Sequence, residues 1–240
     1  ARSLVWAAFM NTGQSCASVE RVYAVYEIHD RLVARIVELT NELKIGDPTD
    51  RGTDLGPLTT RGQRDIVVEH VADAVAKGAR VLTGGVTPDG PGYYYPPTVL
   101  VDVTDDMEMM IEETFGPTMP IQRVRDLDEA IEKANNSRFG LTASGFTASP
   151  ETAERLQREL AAGAVGINEH GIVAAGEVKR FHLAADAGFI LSLVVLLGVA
   201  LHLPSVGAGF YADDYVLAMG LGEQFLERMA LGNGKGYSRS

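Results

Sequence analysis

Between residues 22 and 168, short apolar runs alternate with longer stretches whose apolar side chains recur at helical spacing. Few folds can be built from that pattern. Residues 29–43 place Leu32, Val33, Ile36, Val37, Leu39 and Leu43 on one stripe, and 61–77 repeat it with Ile66, Val67, Val71, Ala74 and Val75. Between them, Ile45-Gly46-Asp47-Pro48 closes the first helix and a polar loop runs to Gly56-Pro57. Gly78 stands where a helix C-cap belongs. Strands are predicted at 22–26, 80–83, 97–101, 120–124 and 163–168, and further helices at 126–135 and 150–161. A chain ordered this way is an α/β domain with a mainly parallel sheet flanked by helices.

After Glu177 the character changes. Residues 187–212 contain no Asp, Glu, Lys or Arg, and the densest part is Phe189-Ile190-Leu191-Ser192-Leu193-Val194-Val195-Leu196-Leu197. Roughly 20 such residues suffice to cross a bilayer. The segment reads as a hydrophobic helix inserting into a membrane through 187–206; a buried core helix is the alternative, since Pro204 and several glycines interrupt the run. Lys179 and Arg180 precede it and Asp213 and Asp214 follow, which would leave the N-terminal part cytoplasmic. The expected organisation is a domain at 1–177, an unrelated membrane-type segment at 178–231 and a Gly/Ser-rich, disordered tail at 232–240.

The net charge of −11 argues against nucleic acid and anionic membrane surfaces as main partners. One cysteine excludes an internal disulfide and fits a reducing compartment. The opening Ala1-Arg2-Ser3-Leu4-Val5-Trp6 is no signal peptide and reads as the middle of a longer protein.

That cysteine, Cys16, ends the run Phe9-Met10-Asn11-Thr12-Gly13-Gln14-Ser15-Cys16. A thiol reacts as its thiolate, so a nucleophile needs partial exposure and nearby donors, and a tight loop of small and polar residues suits that. A buried structural thiol is the competing reading. Far downstream stands Glu112-Glu113-Thr114-Phe115-Gly116-Pro117, on its face an acidic loop before a Gly-Pro turn. No metal ligand set is assigned.

Phe9, Gly13, Gln14, Cys16 and Arg21 match, residue by residue, the nucleophile signature of the NAD(P)-dependent aldehyde dehydrogenase superfamily, and residues 1 to about 176 resemble its catalytic domain. Four more segments follow in family order: Leu55-Gly56-Pro57-Leu58, the Glu112–Pro117 motif, Asn136-Ser137-Arg138-Phe139-Gly140-Leu141-Thr142-Ala143 and Gly163-Ala164-Val165-Gly166-Ile167-Asn168. Thr114 replaces the usual Ile or Val, and Phe139 the usual Tyr. The resemblance implies that Cys16 attacks an aldehyde, with its backbone amide in the oxyanion hole. It implies that Glu113 binds the nicotinamide ribose, that Phe115 packs on the nicotinamide ring, and that the cofactor is NAD or NADP. Asn168, Glu169 and His170 would line the aldehyde pocket, with a surface turn the alternative for Glu169 and His170.

The family's general base, in a Glu-Leu-Gly-Gly-Lys motif, and its Rossmann-type cofactor domain belong before Ala1. Its Pro-Phe-Gly-Gly motif should follow Glu177, where Val178-Lys179-Arg180-Phe181 stands instead. The expected function is therefore a truncated aldehyde dehydrogenase, inactive alone, from a cytoplasmic homo-oligomeric family that oxidises aldehydes to acids. Two alternatives stay open: a membrane-anchored scaffold, and the start of a membrane glycosyltransferase fused to a dehydrogenase remnant. Phe210-Tyr211-Ala212-Asp213-Asp214-Tyr215 is weakly similar to the latter, and an ordinary solvated acidic turn is the favoured reading of it.

Overall fold

A computed structural model of the protein describes residues 1–168. The apolar segment at 187–206, the Asp213-Asp214 pair and the tail at 232–240 lie outside the described residues, as do Glu169 and His170. Among the described residues no helix is long and apolar enough to cross a membrane.

The element order is α1 (Arg2–Phe9), a 3₁₀ turn (Met10–Gly13), β1 (Val22–Val25), α2 (Tyr26–Asn41), α3 (Arg61–Ala76), β2 (Arg80–Thr83), β3 (Thr98–Val101), α4 (Glu108–Ile111), β4 (Thr118–Val124), α5 (Leu127–Asn135), β5 (Thr142–Gly145), α6 (Pro150–Glu159) and β6 (Ala164–Ile167). Four strands form one sheet in the order β1-β4-β3-β2, and β5 and β6 form a second. β1–β4, β4–β3 and β5–β6 pair in parallel, while the edge strand β2 runs antiparallel to β3. The expected mainly parallel α/β architecture is present, divided between two sheets.

Layering follows from strand periodicity. Val99, Val101, Met119 and Ile121 join Ala7, Ala8 and Phe9 of α1 and Val33 and Ile36 of α2 in one core. Leu100, on the opposite face, joins Val67, Val71 and Ala74 of α3 with Tyr95, Met107 and Met109 in a second. With both faces covered, β3 is buried along its whole length, as parallel strands in α/β proteins are. Burying each such large apolar side chain contributes about 1.5–3 kcal/mol before chain entropy opposes it.

Several boundaries shift from expectation. Helix α2 starts at Tyr26 straight out of β1, with no side-chain cap, so residue 26 belongs to the helix rather than to the strand. Helix α3 is capped by Thr60, whose Oγ1 accepts from the Gln63 amide at 3.1 Å. Gly78 ends that helix with φ +105, the left-handed geometry that glycine adopts freely. α1, α4 and β5 were not anticipated.

Candidate active site

Topology explains why two motifs far apart in sequence meet. Cys16 lies just before β1 and Glu113 just before β4, and β1 and β4 are parallel neighbours with Val22 opposite Ile121. Both motifs therefore arrive at the same end of the sheet, the amino ends of its parallel strands. Their backbones then touch. Gly13 has φ +72, and a Cβ on it would stand 2.1 Å from the Gly116 carbonyl oxygen, so only glycine permits this approach.

The loop before Cys16 is strained. Asn11 (φ 51) and Thr12 (φ 61) share the left-handed region with Gly13, unusual for any side chain and most of all for a β-branched one. Side chains hold it there. Asn11 Nδ2 donates to the Gln14 carbonyl at 3.0 Å, Gln14 Nε2 donates back to the Asn11 carbonyl at 3.2 Å, and Thr12 Oγ1 donates to the Gly56 carbonyl at 3.1 Å. Gln14 Oε1 accepts from both the amide and the hydroxyl of Thr59, each at 2.8 Å. The Leu55–Leu58 segment, recognised only as a motif in sequence, is thus a wall of the cysteine loop.

Cys16 itself is half-buried. Burial pushes its thiol above the ordinary value and the nearby Glu113 carboxylate adds to that, while the backbone N–H groups of Cys16 and Ala17 pull the other way. Glu113 therefore lies within electrostatic reach of the sulfur. Glu113 and Phe115 are both half-buried, and Phe115 sits in the left-handed region at φ 52.

The turn carrying them is gripped by side chains the sequence did not single out. Glu20 accepts from the Thr114 amide at 3.1 Å and the Phe115 amide at 3.0 Å. Gln63 donates to the carbonyls of the same two residues, at 2.7 and 3.1 Å. Thr114, fully buried, presents its Oγ1 to His70 Nδ1 at 3.1 Å, a contact that the usual Ile or Val could not make. Burial lowers the His70 pKa, against the pull of Glu108, Glu112, Asp73 and Glu69. Arg21 is buried, donates to Ser137 Oγ at 2.8 Å and the Ile111 carbonyl at 3.4 Å, and lies 5.7 Å from the Phe139 ring centroid. It ties the 136–143 segment to the site.

Asn168 ends β6 with φ 57. Its Oδ1 accepts from the Thr147 amide at 2.8 Å and its Nδ2 donates to the Thr147 carbonyl at 2.7 Å, so the side-chain amide joins the loop after β5 to the end of β6. A cavity of about 750 Å³ opens behind the cysteine loop, lined by Asn11, Thr12, Gly56, Thr59 and Tyr93 among others; Cys16, Glu113 and Phe115 do not line it.

Fold and site together describe an α/β domain in which the cysteine loop and the 113–115 turn meet at one end of the sheet. The model of the Aldehyde dehydrogenase family matches residues 1–181, and the chain belongs to that family. Over 167 residues it is 44% identical to a succinate-semialdehyde dehydrogenase (NADP(+)) of Mycobacterium avium, an alignment covering 70% of this chain and 35% of that protein. It is 40% identical over 168 residues to a betaine aldehyde dehydrogenase of Brucella anthropi, covering 68% and 34% of the two chains. The crystal structure of lactaldehyde dehydrogenase from Escherichia coli superposes with a TM-score of 0.68 at 40% identity, covering 70% of this chain and 35% of that one. The chain thus spans about a third of the length of the relatives it matches.

Proposed function

We propose that this chain is part of an NAD(P)-dependent aldehyde dehydrogenase in which Cys16 is the nucleophile. The observation that carries the reading is the convergence at the amino ends of β1 and β4: a half-buried thiol facing its own amide and that of Ala17, with Glu113 in electrostatic reach. Cys16 Sγ adds to the carbonyl carbon to give a thiohemiacetal. The developing oxyanion is met by the Cys16 amide, a fixed dipole in a partly desolvated site. NAD or NADP, which Glu113 and Phe115 would hold, would accept the hydride whose loss turns the thiohemiacetal into a thioester, and water would then release the carboxylic acid and free the thiol.

The residues of that turn fit such a cofactor. Glu113 offers a half-buried carboxylate for ribose hydroxyls through charge-assisted hydrogen bonds, and Phe115 a half-buried ring for the nicotinamide face. Because burial and Glu113 raise its pKa, the Cys16 thiol rests protonated near neutral pH, and attack requires its proton to be removed. Asn168 fixes the end of β6 through Thr147, on the strand that leads into the aldehyde pocket in this reading. The named relatives point to a small polar aldehyde as substrate class. The intact enzyme is a homo-oligomer in this reading, and the 240 residues alone turn over no aldehyde.

The test separates acylation from turnover. Incubated with p-nitrophenyl acetate, the chain gains a single acetyl group on Cys16 by mass spectrometry, and Cys16→Ser does not acetylate at the same rate. With succinate semialdehyde and NADP, absorbance at the reduced-cofactor band stays flat. Failure of Cys16 to acylate would sink the nucleophile assignment, while robust cofactor reduction would sink the claim of inactivity.

A further inference from the structure

Glu20 is the one carboxylic acid of the site whose environment calls for an account of its own. It is 4% exposed and sits between the cysteine loop and β1. Burial, with Glu113 adding to it, pushes its pKa up to about 7, although the amides of Phe115 and Thr114 and the charge of Arg21 hold it down. A carboxyl group titrating near neutrality beside a nucleophile would ordinarily suggest a general base. The geometry says otherwise: Oε1 and Oε2 are each occupied by a backbone amide of the Glu113–Phe115 turn, at 3.0 and 3.1 Å.

On the other side of the same turn, Gln63 spends one amide nitrogen on the two carbonyls. Across the three peptide groups from Glu113 to Gly116, two N–H and two C=O groups are therefore satisfied by side chains, around a Phe115 held in the left-handed region. We propose that Glu20 is the positioning residue of the Glu113-Thr114-Phe115 turn: its carboxyl group bridges the two amides, Gln63 bridges the two carbonyls, and this bracket sets how Glu113 and Phe115 project beside Cys16. The ionised carboxylate accepts both amides well, and the protonated acid gives up acceptor strength on one oxygen. The bracket is therefore tighter above neutrality than below it. The charged groups acting on Glu20 are Glu113 from the turn, which disfavours its ionisation, and Arg21 from its own segment, which favours it. From α3 the titratable group facing the turn is His70, which reaches the Thr114 hydroxyl.

The functional weight of this assignment rests on the turn being the cofactor contact, so the test reads the turn itself and needs no cofactor. In the isotope-labelled 240-residue chain, the Thr114 and Phe115 amide resonances move together on titration, with one midpoint at about 7. In Glu20→Gln that titration disappears, and exchange of both amide protons accelerates about tenfold or more, as expected for losing hydrogen bonds to a charged group. Glu20→Asp restores the titration, with faster exchange than in the parent. Gln63→Ala loosens the same two amides while leaving their titration in place. Unchanged exchange in folded Glu20→Gln, or a titration that survives it, overturns the proposal. If Glu20→Gln does not fold, the parent chain decides: Thr114 and Phe115 amides without a shared midpoint near neutrality overturn it equally.

Discussion

Gly13→Ala tests the contact on which the whole site depends. The added Cβ would lie 2.1 Å from the Gly116 carbonyl oxygen, and φ stays at +72 unless the loop rearranges. The left-handed backbone costs an alanine about 1–2 kcal/mol. The clash requires the two backbones to separate by about 1 Å, and overpacking of that kind costs about 1–3 kcal/mol. The Gly116 carbonyl has little freedom to retreat, because it accepts from the Thr118 amide at 2.8 Å and the adjoining Pro117 carbonyl accepts from Thr98 at 2.8 Å. The sum is a loss of about 2–5 kcal/mol, read as a fall in the urea midpoint followed by circular dichroism. Two glycines serve as references. Gly116→Ala meets the Val67 side chain first, at 2.2 Å, rather than backbone, and needs no left-handed alanine, so it loses less. Gly62→Ala, on α3 with nothing within 4 Å, gains up to about 1 kcal/mol. A Gly13→Ala protein within about 0.5 kcal/mol of the parent would refute the argument that backbone contact holds the two motifs together.

Two further perturbations probe the electrostatics. Glu113→Gln removes a charge that raises the Cys16 pKa, so alkylation of Cys16 by iodoacetamide at neutral pH should accelerate about two- to fivefold, followed by mass spectrometry; an equal or slower rate would contradict the proximity. Glu20 titrates at about 7 in the folded chain against 4.5 as its unperturbed value. Between those values the folded state holds a proton that the unfolded state has released. Stability is therefore greatest below the lower value, falls as pH rises through the window by up to about 3 kcal/mol, and is level above it, whereas Glu20→Gln removes that slope. Urea midpoints measured across the window check this.

Much of the fold was legible because helices α2, α3, α5 and α6 and strand β2 carry local signals. β5 was not, since Thr142-Ala143-Ser144-Gly145 has no apolar run and is a strand only because β6 pairs with it. The start of α2 was misplaced because Val25-Tyr26-Glu27-Ile28 continues an alternating pattern and nothing caps the helix. At the site, Cys16 and Glu113 stood out through their motifs, whereas their meeting comes from the parallel pairing of β1 with β4, which no local signal carries. Glu20 and Gln63 did not, because a glutamate beside an arginine and a glutamine on a polar helix start look like ordinary surface residues. Their roles exist only once the 113–115 turn lies between them.

The parallel pairing of β1 with β4 also imposes an order on assembly. Cys16 leaves the ribosome about a hundred residues ahead of the strand that completes its surroundings, which at about 5–20 residues per second is an interval of seconds. Pairing across so long a sequence separation is slow to form. Throughout that interval the thiol has neither Gly116 against its loop nor Glu113 and burial raising its pKa, and it reacts as a free cysteine does. Cys16 is thus more vulnerable to oxidation in the nascent chain than in the finished domain, and the decline of its reactivity marks the moment at which β4 docks.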